Sequence, residues 1–207
     1  MNTTSTFVIT ISRQLGSGGA YIGQQLAKEL NIYYADREII NETAQKLSML
    51  EDGLKLRDEK LSSFWQSNLQ SCMYCSYTYI PPQIYVPTDR ILFEAEAEVI
   101  QHIANSNSAV IIGRCGSYIL RNHPNHLSIF LHGDADFRKK RIREIYSLNE
   151  EEAAKMLSKS DKDRAQYNHA LTKKDWTDSR QYDLSIDTSK IGLDNSVKLI
   201  LQYIGLD

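Results

Sequence analysis

Short apolar runs alternate along the chain with longer stretches whose apolar residues recur every three or four positions. The runs at 7–11 (FVITI), 32–34 (IYY), 109–112 (AVII), 128–131 (SIFL) and 184–186 (LSI) have the length of strands. They lack the strict alternation of a strand with one wet face. Between them, Ile22, Leu26, Ala27 and Leu30 mark one helical face. Leu92, Ala95, Val99 and Ile103 mark a second, and Leu193, Val197, Ile200, Leu201 and Ile204 a third. Strands apolar on both faces, alternating with one-sided helices, predict an α/β fold: a parallel sheet of five strands between two helical layers.

Two stretches interrupt this rhythm. Residues 51–87 are tyrosine-rich with a Pro-Pro pair and read as an irregular insertion. Residues 149–178 are strongly charged, with little apolar stripe beyond Met156 and Leu157, and predict a helical excursion over solvent. Neither breaks the chain into parts, so one domain over 1–207 is expected. In an open α/β sheet, ligands sit at the carboxyl ends of the strands, where excursions serve as lids.

Composition narrows the functional classes. A chain of 207 residues with 42% hydrophobic positions can bury a proper core. The net charge of −2 offers no electrostatic reason to expect nucleic acid or an anionic membrane as partner. No run approaches the ~20 apolar residues of a membrane span, and no secretory pattern opens the chain. A cytoplasmic location is therefore expected. Cys72 and Cys75 form a lone CMYC without a second metal-ligand pair, which favours ordinary thiols.

The candidate chemistry lies in SRQLGSGGAY. Gly16, Ser17, Gly18 and Gly19 separate the first strand from the first helix, and Ala20 and Tyr21 open that helix. Glycines allow positive φ, so successive N–H groups can converge on an anion, and the helix terminus adds its dipole. The pattern does not fit the dinucleotide fingerprint, because Tyr21 stands at the third glycine. It fits the layout of G-x-x-x-x-G-K-[ST] better than its letters. Arg13 stands at the first glycine, Gly19 at the lysine and Ala20 at the hydroxyl. Phosphoryl transfer needs positive charge around the migrating group, and arginines can supply it. Arg13 in the loop, Arg114 after the strand AVIIG, and Arg164 in the charged excursion are the candidates.

The chain resembles the cytidylate kinase-like family of P-loop nucleoside monophosphate kinases. The blocks ITISRQLGSGGAYIGQQLA, YYADREII, VIIGRCGSYIL with LSIFLHGDADFRKKRI, and SDKDRAQYNHALTKKDWTDSRQYDLSIDTSKIGLDNSVKLI carry the resemblance. It implies a P-loop kinase fold with a monophosphate-binding insertion (36–87) and a helical lid (149–178), using ATP and Mg2+ on small nucleotide substrates. Gly16, Ser17, Gly18, Gly19, Ala20 and Tyr21 would hold the donor phosphates. Asp36, Arg37 and Arg114 would meet the acceptor, and Asp161, Lys162 and Arg164 would belong to the lid. Arg13, Arg114 and Arg164 would be catalytic. The resemblance leaves room for a homodimer.

The chain resembles the branch of the family without the loop lysine. With Ala20 in place of a hydroxyl residue, Ser17 and Asp36 are the nearest substitutes toward magnesium, whose ligands the sequence does not name. Plainer roles stand beside these. Asp36 and Arg37 could cap the next helix. The basic run Arg138, Lys139, Lys140, Arg141, Arg143 reads mostly as a solvated face, with Arg141 able to point back at the phosphates. Trp176 reads as packing. Three functions follow: a kinase acting on a nucleoside monophosphate, cytidine monophosphate first; a non-catalytic nucleotide sensor; or a kinase with another small acceptor.

Overall fold

In the computed structural model, the residues described are 5–36 and 89–206, with side chains in the second span from 93 onward. The predicted acceptor region beyond Asp36, including Arg37, Cys72 and Cys75, lies outside them.

The described elements are β1 (Val8–Arg13), α1 (Gly19–Glu29), β2 (Tyr33–Ala35), α2 (Asp89–Ser106), β3 (Ala109–Ile112), α3 (Gly116–Ile119) and β4 (His126–His132). After them come α4 (Ala135–Tyr146), α5 (Glu150–Thr172), β5 (Leu184–Asp187), α6 (Thr188–Ile191) and α7 (Leu193–Tyr203). All the strand pairs are parallel, in the order β2-β3-β1-β4-β5. The five predicted runs all form strands, with ends that match or differ by at most two residues.

The register explains the apolar runs. Alternate residues of β1 enter opposite layers, each closed by helices. Ile9 and Ile11 join Ile22 and Leu26 of α1, Val110 and Ile112 of β3, and Val197 and Ile200 of α7. Val8 joins Ala109 and Ile111 with Val99 and Ile103 of α2 on the other face. Both faces of the central strands are therefore covered, even where Thr10 and Ser128 place hydroxyls on them, as parallel sheets require.

Helix α5 departs from expectation. Asn149 caps it with a reciprocal capping box to Glu152. Ala153 and Leu157 pack with Ile142 of α4 and Leu15 of the glycine loop. The segment is therefore no excursion over solvent in its first half. Four residues on from Leu157, the same stripe continues as Asp161 and then Arg164. Its inner face changes from apolar to charged as it reaches the loop.

Candidate functional site

Parallel strands bring their carboxyl ends to one edge of the sheet. Asp36 follows β2, Gly113 and Arg114 follow β3, and Arg13 ends β1, with β3 seated between β2 and β1. These candidates therefore stand on neighbouring strand ends, beside the glycine loop.

In the loop, Gly16 and Gly18 have φ of 81° and 85°, while Leu15, Ser17 and Gly19 between and around them stay negative. Alternating backbone signs of this kind curl successive N–H groups into a concave anion cradle. Helix α1 starts directly behind at Gly19, and no side chain caps it. Its first N–H groups have no acceptor within the helix. A Cβ on Gly16 would lie 2.7 Å from the Arg138 carbonyl oxygen, so glycine serves both the turn and the close approach to α4.

The vacant lysine position is filled by another side chain. A Cβ on Gly19 would lie 2.7 Å from Cγ of Arg13. A Cβ on Gly113 would collide with Arg13 Nη1 and lie 3.2 Å from its Cζ. Arg13 thus crosses the start of α1 and lays its guanidinium over Gly113, next to Arg114. The charge sits between the loop and the β3 end.

Arg114 and Cys115 are both left-handed, at φ 49° and 54°, directly after Gly113 at 78°. Consecutive positive φ at non-glycine residues is costly and persists only when surroundings enforce it. Here Arg114 Nε pairs with Glu96 of α2 at 3.2 Å, and the carboxylate is 2% exposed. Tyr167 of α5 lies under the guanidinium at 5.3 Å and donates its hydroxyl to Glu96 at 2.8 Å. Burial first, and then Glu96, push the Tyr167 phenol upward, so it remains a donor. Burial also raises the Cys115 thiol to about 12, with Glu96 adding and Arg114 opposing. Cys115 gives its hydrogen to Asn168 at 3.3 Å and offers no thiolate for covalent chemistry.

The lid candidates meet the loop's main chain. Arg164 donates to the Arg13 carbonyl at 3.1 Å, and Asp161 accepts from the Leu15 N–H at 3.2 Å. Lys162 is exposed on the opposite face. Arg138 is not part of a solvated face, as the basic run suggested, but 9% exposed. It binds Asp161 at 2.6 Å and the carbonyls of Leu15 and Gly133 at 3.3 and 3.0 Å. Arg141 does turn to the loop, donating to the Gly16 carbonyl at 3.1 Å. Glu96, Tyr167 and Arg138 were not singled out for this site from the sequence.

The loop suits phosphate groups, but its own hydroxyls are engaged elsewhere. Ala20 carries no hydroxyl, and the buried Ser17 hydroxyl donates to the Gln14 carbonyl at 2.8 Å. Tyr21 sends its hydroxyl away to Asp194 at 2.7 Å. Among the described residues, no group of three or more His, Cys, Asp or Glu could hold a metal. Trp176 is packing, as expected: it meets Phe130 edge-on, and Tyr182 stacks on the same ring. No described helix is long and apolar enough to cross a membrane.

A parallel α/β sheet with a glycine loop entering the first helix and arginines on the adjacent strand ends defines the P-loop kinase class. The sequence model of the cytidylate kinase-like family matches residues 8–190, and the chain belongs to that family. Nothing matches among curated proteins. Among solved structures, an uncharacterized protein from Eubacterium ventriosum ATCC 27560 is 28% identical over 96% of this chain and 98% of its own, at TM-score 0.72. Shikimate kinase from Bacteroides thetaiotaomicron shares the fold at TM-score 0.53 and 11% identity, covering 98% of this chain and 100% of its own. Shikimate kinase from Acinetobacter baumannii, solved with shikimate, does so at 0.50 and 12%, over 98% and 97%.

Proposed function

We propose that the chain is an ATP-dependent kinase that transfers a phosphoryl group to a small acceptor, with cytidine monophosphate as the first candidate. The observation that carries this reading is the course of Arg13 from the glycine loop to Gly113, beside Arg114. It lays fixed positive charge along the line between a donor cradle and an acceptor arginine. Bound ATP would supply the phosphoryl group. The loop N–H groups would orient the donor phosphates, and Arg13 would face the charge that develops during transfer. Arg114, held by Glu96 and Tyr167, would receive an anionic acceptor. Positioning and electrostatics then provide most of the catalysis, with no covalent nucleophile.

The loop offers no hydroxyl toward the magnesium that such kinases use, since Ser17 and Tyr21 are bonded elsewhere. That same feature favours a second reading, a nucleotide sensor that binds without turnover. A coupled ADP-release assay separates the two. It would run magnesium-ATP against cytidine, uridine and adenosine monophosphates, shikimate and other small alcohols. Turnover with cytidine monophosphate supports the first reading, turnover with another acceptor alone corrects the substrate, and ATP binding without turnover establishes the sensor.

A further inference from the structure

The main-chain carbonyls of Arg13, Gln14, Leu15 and Gly16 are consecutive, and every one accepts a hydrogen bond from a side chain. The donors are Arg164 at 3.1 Å, Ser17 at 2.8 Å, Arg138 at 3.3 Å and Arg141 at 3.1 Å, in that order. Three of the four are guanidinium groups, brought by α4 and α5. Asp161 is the carboxylate set among them, bonded to Arg138 at 2.6 Å and lying 3.9 Å from Arg164. Its other contact is the Leu15 N–H. The back of the loop therefore meets three cations and one anion.

Neutral donors or water would satisfy carbonyls at less desolvation cost than arginine does. The arrangement does more than close hydrogen bonds. In a trans peptide the N–H points opposite to the C=O. A cation on the Leu15 oxygen thus turns the Gly16 N–H away from α4, while the peptides held by Arg164 and Arg141 fix the turn itself: the Gln14 N–H donates to the Leu131 carbonyl at 2.9 Å and the Ser17 N–H to the Gln14 carbonyl at 3.4 Å. Each cation also draws electron density toward the oxygen, which strengthens the N–H as a donor.

We propose that Arg138, Arg141 and Arg164 act through the loop's peptide groups as positioning residues for the donor polyphosphate, adding charge behind the loop to the charge that Arg13 supplies. This rests on the reading of the loop as a phosphate cradle. Asp161 aligns Arg138 and cancels part of the charge, leaving an excess of positive charge behind the N–H groups.

Arg141 is the residue to test, because it is only half-buried and lies outside the Arg138–Asp161 ion pair. The full chain would be titrated calorimetrically with inorganic tripolyphosphate and with ATP, alongside thermal unfolding. Arg141→Ala should weaken tripolyphosphate binding about tenfold, the scale of one charge-assisted hydrogen bond. Arg141→Lys should recover part of it. Lys140→Ala, an exposed charge on the same helix that touches no loop atom, should leave binding within about twofold, as expected for a screened surface charge. Equal affinities in the two alanine variants would overturn the proposal, and so would a loss that tracks unfolding temperature rather than ligand. A parent that binds neither ligand would instead remove the phosphate-cradle reading on which the proposal rests.

Discussion

Arg13 and Gly19 occupy one space between them: a Cβ on Gly19 would lie 2.7 Å from Arg13 Cγ and 3.0 Å from its Cβ. The loop's missing lysine and its unusual arginine are therefore a single exchange. A side chain at 19 would have to displace Arg13, and Arg13 can cross the loop only because position 19 is glycine. The result moves the charge from the loop toward the β3 end.

Kinetics can test this exchange. Arg13→Ala should lower kcat on the order of 10³-fold, in the range of other arginines that stabilise transferring phosphoryl groups. Gly19→Lys in the parent should impair the enzyme, because two long side chains compete for one path. Placed in the Arg13→Ala background, the same lysine should restore part of the lost rate. An equally damaging lysine in both backgrounds would show that the two positions are not alternatives.

Glu96 offers a second test, on the acceptor side. Its carboxylate pairs with Arg114 and accepts from Tyr167, in surroundings that exclude water. Glu96→Gln removes the charge and keeps the shape. Leaving a nearly buried guanidinium without its counter-ion costs on the order of 3 kcal/mol, so the unfolding temperature should drop. The functional signature is selective: KM for the acceptor should rise about tenfold or more, with KM for ATP nearly unchanged. A rise confined to the ATP side would place Arg114 in the donor subsite instead.

The strands and the one-sided helices were legible because burial imposes a period, and the sheet edge that gathers Arg13, Gly16 and Arg114 follows from their strand positions. The face of α5 was not legible. Its stripe begins with Ala153 and Leu157 but continues through Asp161 and Arg164, which any hydrophobic pattern counts as solvent-facing. Arg138 was hidden in the same way, inside a run of basic residues of which it alone is buried. The Glu96 carboxylate looked like one more polar position on an amphipathic helix. Buried charges become visible only when their partners are known, and here the partners are 18 to 71 residues apart in the chain.

Gly113 provides a conformational test of the same site. It has φ of 78° and lies under the Arg13 guanidinium. Alanine there would meet both strain, about 1 kcal/mol for a left-handed residue, and the end of a flexible side chain that can move aside. Gly113→Ala should therefore fold, with a modest loss of stability, yet lose activity nearly as severely as Arg13→Ala. Combining the two substitutions should add little further loss of rate, because one contact is removed twice. Full additivity would mean that Gly113 and Arg13 act separately.

The last expectation concerns the opposite end of the sheet. His126, at the start of β4, meets the buried hydroxyl of Thr10 at 2.7 Å across the β1–β4 pair. Burial lowers its pKa from 6.5 to about 4; Asp183 opposes the shift, His123 adds to it, and a hydrogen bond with the Leu120 backbone opposes it weakly. The unfolded histidine takes up a proton near pH 6.5, whereas the folded one resists until about pH 4. Between those values the unfolded state binds more protons, so stability rises with pH across the window and falls as pH is lowered through it. At about 1.4 kcal/mol per unit, the total loss is roughly 3 kcal/mol by pH 4. His126→Gln cannot titrate and keeps a polar partner for Thr10. Urea unfolding at pH 7 and pH 4.5 should therefore show a steeper acid loss for the parent than for the variant. If the two lose stability in parallel, the acid sensitivity of the fold lies elsewhere.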